Sequence, residues 1–267
     1  MLNLPHVMTA LLLAGGMSLW NGAAAPAETR VDLALVLAVD VSFSMEPEEQ
    51  DLQRHGFAEA FQSPEVHRAI RQGMLGRIAV VYIEWSGAFD QEIIAPWTVI
   101  EQPADALAFA ERLLQSPVHR MSYTSISGVI DFGVRQLRQS GLQADRQVID
   151  VSGDGANNTG RTVTQARDEA LAHGVTINGL PIMLTRPSSL WDIEDLDLYF
   201  RDCVIGGPGA FLIPVQEKAQ FIEAIKAKII REITDQSLPH SLVQPAQAVS
   251  SANCLAGEQR RHQPAGR

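Results

Sequence analysis

Residues 31–39, with the sequence VDLALVLAV, form an apolar run that ends at Asp40. Such a run is typical of a central strand in a parallel sheet, where helices cover the strand on both faces. Parallel sheets of this kind bind ligands at the carboxyl ends of their strands. The run therefore predicts an α/β protein and directs attention to the polar residues that follow Asp40.

Strands and helices alternate through the rest of the chain. Further strands are predicted at residues 77–85, 91–99, 147–151, 175–180 and 210–215. Helices are predicted at residues 46–61, 104–115, 125–139, 162–173, 192–203 and 217–234. The turn at residues 86–90 is short enough for a hairpin, which makes the third strand an antiparallel edge strand. The pattern predicts a doubly wound, Rossmann-type, mostly parallel six-stranded sheet with helices on both faces and one antiparallel edge strand.

The two ends of the chain differ from the middle. Residues 1–27 contain an apolar run at 7–20 and an A-x-A site at 25–27, which indicates a signal peptide and a periplasmic or secreted protein. The segment before the run contains no Lys or Arg, and a buried N-terminal helix is the alternative. No later run of about 18 apolar residues exists, so no membrane span is expected. The folded domain is predicted at residues 28–236, and a disordered, Pro/Gln/Ala/Ser-rich tail at 237–267.

Composition limits the function. The chain has 267 residues, a net charge of -10 and no Lys/Arg-rich run, so a nucleic-acid surface is not expected. The two cysteines, Cys203 and Cys254, could form one disulfide in an exported protein. Two unpaired thiols are the alternative, because Cys254 lies in the predicted tail.

Oxygen-bearing side chains follow two of the predicted strands and one polar loop. Asp40, Ser42 and Ser44 form a D-x-S-x-S loop directly after the first strand, and Asp154 follows the fourth. The first and fourth strands are neighbours in the common doubly wound order, which brings the two aspartates together. Thr124, from the loop before a helix, could complete the set. Hard oxygen ligands of this kind suit Mg²⁺, or Mn²⁺ or Ca²⁺, and the alternative is that these residues only cap helices and turns.

These five positions resemble the metal-ion-dependent adhesion site (MIDAS) of the von Willebrand factor A family, in the same chain order and over residues 31–234. Five segments are similar to an exported bacterial family known as domain of unknown function 1194. They are IEWSG, PWTVI, DVSGDGANNTG, INGLPI and DCVIGGPGAF. Gly153 departs from the wider family, in which a threonine or serine commonly precedes the last aspartate. The resemblance implies that the metal accepts an Asp or Glu side chain from a protein partner.

The residues around these positions are candidates for the partner-binding rim. Arg120, Tyr123 and Asn157 lie next to the expected ligands in the sequence. For Asn157, a structural role in an Asn-rich turn is the alternative.

Two other functions are considered. A Mg²⁺-dependent phosphatase of the haloacid dehalogenase kind also has an aspartate after its first strand, but its D-x-D-x-T motif has a second aspartate where this chain has Ser42. A serine cannot replace that carboxylate in general acid/base catalysis, so no enzyme activity is expected. An accessory subunit of a partner machine is the other alternative, and the predicted export argues against it.

Overall fold

The computed structural model describes residues 29–117, 119–184, 193–235, 244–245 and 252–261. The predicted signal peptide lies outside the described residues. The strands are β1 Thr29–Asp40, β2 Ile78–Trp85, β3 Gln91–Ile100, β4 Leu142–Gly153, β5 Thr176–Pro181, β6 Phe211–Leu212 and β7 Gln244–Pro245. The helices are α1 Pro47–Gln62, α2 Pro64–Arg71, α3 Pro103–Gln115, α4 Ile126–Gln139, α5 Val163–Ala172, α6 Leu196–Tyr199, α7 Phe221–Thr234 and α8 Ala256–Arg261.

The strands form one sheet in the order β3-β2-β1-β4-β5-β6-β7. Strands β2, β1, β4, β5 and β6 are parallel to one another, and β3 pairs antiparallel with β2 at one edge. The predicted doubly wound, mostly parallel sheet is therefore confirmed. The structure adds the two-residue strand β7, antiparallel to β6, at the other edge. It also adds helix α2, which starts at a proline after the capping residue Ser63.

Strand β1 is buried on both faces. Alternate residues pack into two separate cores, with Leu33, Leu35 and Leu37 on one side and Ala34 and Val36 on the other. The first core is covered by α1, α2, α3 and α7, and the second by α4, α5 and α6. This two-sided burial explains why the strand is apolar at nearly every position rather than at every second one.

Helix α7 carries buried charge against the sheet. The Nζ atom of Lys228 lies 2.8 Å from Asp150 Oδ1 on β4 and 2.7 Å from Glu232 Oε1, and all three side chains are buried. Asn178 on β5 donates to the other oxygen of Glu232 at 2.6 Å. Burial raises the pKa of Asp150 to about 6, although the neighbouring Lys228 lowers it. The positive charge of Lys228 therefore compensates two buried carboxylates, those of Asp150 and Glu232.

The segment beyond residue 236 differs from the predicted tail where it is described. Strand β7 pairs with the sheet, and helix α8 packs on the domain with Gly257 buried. Cys203 and Cys254 form a disulfide, which decides between the two alternatives left by the sequence. The composition of this segment, rich in small and polar residues, could not predict that it is attached to the domain. The disulfide that attaches it joins residues 51 positions apart. No helix in the described ranges is long and apolar enough to cross a membrane.

Candidate metal centre

The D-x-S-x-S loop begins where β1 ends. Asp40 is the last residue of the strand, and its Oδ1 accepts the backbone N–H of Ser42 at 2.8 Å, which turns the chain sharply. The hydroxyls of Ser42 and Ser44 are 2.9 Å apart, and the Ser44 hydroxyl donates to Asp154 Oδ1 at 2.7 Å. Because β1 and β4 are neighbours, residues 110 positions apart meet at one edge of the sheet. Four of the five predicted positions are thus joined in one chain of contacts.

The fifth position, Thr124, is buried on a loop held against the first. The N–H of Met121 donates to the Val41 carbonyl at 3.3 Å, and the N–H of Ser125 donates to the Ser86 carbonyl at the end of β2 at 2.7 Å. Asn158, just beyond Asp154, accepts the Thr124 N–H at 3.0 Å and donates its own N–H to the Thr124 carbonyl at 2.8 Å. The segment between α3 and α4 that carries Thr124, called the threonine loop below, is therefore tied to both loops that carry the carboxylates.

The Asp40 carboxylate is fully buried, and its Oδ2 accepts no hydrogen bond from any described residue. Burial raises the pKa of Asp40 well above its usual range and the negative charge of Asp154 raises it further, although hydrogen bonds from Ser42 and from the Asp154 backbone lower it. A buried carboxylate with one oxygen that accepts no hydrogen bond, beside a second carboxylate, is unfavourable unless a cation compensates it. The donor set therefore fits a divalent cation. Within the described chain no group of three or more His, Cys, Asp or Glu side chains could hold a metal, so hydroxyl ligands would be essential.

Residues behind the loop hold Asp40 from inside the protein. Gln53 on α1 donates to the Asp40 carbonyl at 3.3 Å and accepts the Ser152 hydroxyl at 2.9 Å, and both side chains are buried. Gln53 thus links the ends of β1 and β4. Sequence reasoning missed this residue, because a glutamine on a helix is ordinarily exposed and only its burial marks it.

A second buried polar group supports the threonine loop. Arg54 on α1 pairs with Glu84 on β2 and donates to the carbonyls of Ser116 and Pro117, at the start of that loop. Burial raises the pKa of Glu84, and Arg54 lowers it. The arrangement fixes where the chain leaves α3 on its way to Thr124. Sequence reasoning missed this pair too, since its two members come from elements that only the fold brings together.

Gly153 leaves room for the Asp40 carboxylate. A Cβ atom at this position would lie 2.8 Å from Asp40 Oδ2, which is closer than such atoms approach in proteins. The Asp40 carboxylate thus occupies space that a side chain at position 153 would need, at the position where the wider family commonly has a threonine or serine.

We expect Gly153→Ala to weaken cation binding about tenfold or more, because the methyl group displaces the Asp40 carboxylate. Gly155→Ala is the matched control, since a methyl group there would meet Thr124 Oγ1 at an ordinary 3.6 Å. Calorimetric titration with Mn²⁺ measures both. Equal affinities for the two variants would show that Gly153 does not set the position of the carboxylate.

The three predicted rim residues have different environments. The guanidinium of Arg120 donates to the carbonyls of Phe43 and Met45, both at 2.8 Å, and lies over the Phe43 ring. It therefore supports the D-x-S-x-S loop at residues 40–44, called the serine loop below. Tyr123, which directly precedes Thr124, is more than half exposed and has a positive φ of 72°. Asn157 is fully buried. The rim prediction is therefore wrong for the Asn157 side chain, which faces the interior.

The buried side chain of Asn157 organises the loop after Asp154. Its Oδ1 accepts the Ser127 N–H at 2.9 Å, at the start of α4. Its Nδ2 donates to the Arg161 carbonyl at 3.0 Å and to Glu258 Oε1 on α8 at 2.8 Å. All the polar atoms of the amide are thus used internally, which is the structural role that an Asn-rich turn allows.

The domain has the fold of von Willebrand factor A domains, as a comparison with solved structures shows. The pilus adhesin SpaC from Lactobacillus rhamnosus GG is 13% identical over 77% of this chain and 31% of its own, with a TM-score of 0.58. Proximal thread matrix protein 1 from the mussel byssus is 12% identical over 78% and 49%, with a TM-score of 0.53. A von Willebrand factor type A protein from Catenulispora acidiphila is 12% identical over 76% and 43%, with a TM-score of 0.51.

Another structure of the mussel protein, 10% identical with a TM-score of 0.50, has a zinc-occupied MIDAS motif. This chain spans about half or less of the length of these structures. At the level of sequence, the chain belongs to the family described as Protein of unknown function (DUF1194), whose profile matches residues 30–237. No curated protein matches the sequence.

Proposed function

We propose that this chain is an exported protein-binding module that depends on a divalent cation. Asp40, Ser42, Ser44, Thr124 and Asp154 would hold Mg²⁺, or Mn²⁺ or Ca²⁺, and the cation would accept an Asp or Glu side chain of a protein partner. The observation that carries the proposal is the buried Asp40 Oδ2, which has no hydrogen-bond donor among the described residues. Neutral hydroxyl ligands leave a cation electrophilic, so that it can bind a further carboxylate. The zinc-occupied motif of the mussel protein supports a divalent cation at such a site.

The surface around the site suits a protein partner. Phe43, Phe89 and Tyr123 are each more than half exposed, and they lie on the serine loop, the β2-β3 turn and the threonine loop. The guanidinium of Arg120 lies 5.3 Å from the Phe43 ring centre, and that of Arg261 lies 4.9 Å from the Tyr123 ring centre. Aromatic and arginine side chains are enriched in protein interfaces. The two guanidiniums also favour an acidic partner, despite the negative net charge of the chain.

A role without catalysis is proposed on the chemistry of the same loops. Ser42 stands where a phosphatase of the haloacid dehalogenase kind has its acid/base carboxylate, and a serine hydroxyl cannot perform that proton transfer. The Ser44 hydroxyl donates its proton to Asp154, which leaves a lone pair of its oxygen available to coordinate a cation. Location in the periplasm or outside the cell follows from the predicted signal peptide and remains part of the proposal.

Affinity capture from envelope extracts tests the proposed function. Immobilised protein should retain a set of partners in Mg²⁺ that EDTA releases, and Asp40→Asn should not retain them. Phe89→Ala should reduce capture about tenfold or more while leaving cation affinity unchanged, because one aromatic side chain can dominate an interface. Met74→Ala is its control, since Met74 is also exposed but lies before β2, at the opposite end of that strand. Equal, EDTA-resistant capture by wild type and Asp40→Asn would contradict the proposal.

A further inference from the structure

The C-terminal segment is fastened to the domain next to the candidate metal centre. It lies beyond the region that the family profile matches. The disulfide between Cys203 and Cys254 attaches it at one point, and the N–H of Ala252 donates to Asp202 Oδ2 at 3.0 Å. Helix α8 begins two residues after Cys254. The short distance along the chain means that the disulfide determines where this helix lies.

Helix α8 contacts the loop that follows Asp154 through three residues. A Cβ atom on Gly257 would lie 2.1 Å from the carbonyl oxygen of Asn157, so the helix and the loop backbone approach so closely that only glycine fits. Glu258 Oε1 accepts the Asn157 Nδ2 group at 2.8 Å, and the Arg261 guanidinium donates to the Asn158 carbonyl at 3.2 Å. The helix thus binds both asparagines of the loop.

These two asparagines connect the helix to the proposed ligands. Asn158 exchanges two hydrogen bonds with the backbone of Thr124, and Asn157 accepts the N–H of Ser127 at the start of α4. The same loop carries Asp154 only three residues before Asn157. A displacement of α8 would therefore move the threonine and aspartate loops relative to each other.

We propose that helix α8 is a positioning element of the metal centre, in which Gly257, Glu258 and Arg261 hold Asn157 and Asn158 and the Cys203–Cys254 disulfide holds the helix. This inference rests on the proposed function, because it assigns these residues a role toward the same cation. The helix does not supply a ligand. It preorganises two of the three ligand loops, which is the way that outer contacts raise the affinity of a metal site.

Substitutions at Glu258 test the proposal in the full chain. Glu258→Ala should weaken Mn²⁺ binding by about 10- to 100-fold, the range found for residues that orient ligands. Glu258→Gln should stay within about threefold of wild type, because its amide oxygen can still accept from Asn157. Gln259→Ala, at an exposed position on the same helix, serves as the control and should bind Mn²⁺ like wild type.

Hydrogen exchange of the metal-free protein gives a readout that does not depend on the cation. Amides at residues 121–128 and 154–161 should exchange about tenfold faster in Glu258→Ala than in wild type, as expected when loops lose a contact that orders them. The double variant Cys203→Ser, Cys254→Ser should show the same change. Should wild type not bind Mn²⁺, the proposed function fails, and the exchange rates alone then decide the positioning role. Unchanged exchange in Glu258→Ala, or equal loss of Mn²⁺ affinity in Glu258→Gln and Glu258→Ala, would overturn it.

Discussion

Replacing Asp40 with alanine should abolish binding of Mg²⁺ and Mn²⁺, with a loss of affinity of about 100-fold or more, because the central carboxylate of the proposed site is removed. The metal-free variant should remain folded. Burial and the charge of Asp154 already make the Asp40 carboxylate unfavourable, so its removal relieves repulsion while it deletes the hydrogen bonds from Ser42 and the Asp154 backbone. Calorimetry and thermal unfolding with and without Mn²⁺ measure both effects, since a cation that binds only the folded state raises Tm.

Two companion variants make the Asp40 result specific. Asp40→Asn keeps an oxygen that can accept the Ser42 N–H, and it should also fail to bind the cation. That result would show that cation binding needs the negative charge of Asp40 and not only the shape of its side chain. Asp51→Ala removes an exposed aspartate on α1 and should bind normally. Equal Mn²⁺ affinity in wild type and Asp40→Ala would show that the ligand assignment is wrong. Turnover of phosphate esters by wild type that disappears in Asp40→Asn would instead support the hydrolase alternative.

Replacing Lys228 with methionine should lower the free energy of unfolding by about 3–5 kcal/mol, because breaking a buried ion pair leaves its partner charge uncompensated. In this protein two carboxylates, Asp150 and Glu232, would lose their shared cation. Lys226→Met is the matched control on the same helix. Lys226 forms a surface pair with Glu223, and its loss should cost about 1 kcal/mol or less. Urea unfolding at pH 7 measures both variants, and similar losses would contradict the assigned role of Lys228.

The pH dependence of this effect follows from Asp150. Its pKa is about 6 in the folded protein, against about 3.9 in the unfolded chain, so the folded state binds the proton more tightly. The contribution of Asp150 to stability therefore falls as the pH rises from about 4 to about 6. Without Lys228 the folded pKa should rise further. The deficit of Lys228→Met relative to wild type should accordingly be larger at pH 7 than at pH 5.

Much of the candidate site could be predicted because its members follow strand ends. The apolar run before Asp40 identifies a central strand, and the doubly wound order brings Asp154 beside it, as the contact between Ser44 and Asp154 shows. The same reasoning failed for Asn157. Its position next to Asp154 suggested the rim, but the direction of a side chain within an irregular loop depends on which neighbours need its hydrogen bonds.

By itself, the sequence determined the α/β class, the alternation of strands and helices, and the chain order of the five oxygen-bearing residues. These features are local, since hydrophobic periodicity and residue order follow from short segments. The tertiary structure alone decided the disulfide, the contact between Asn157 and Glu258, and the support of Asp40 by Gln53 and Ser152. The hydrogen bonds between side chains in this set join residues 99 to 101 positions apart. Short-range sequence patterns cannot predict these hydrogen bonds, because the bonds depend on how the packed helices and strands bring distant polar groups close together.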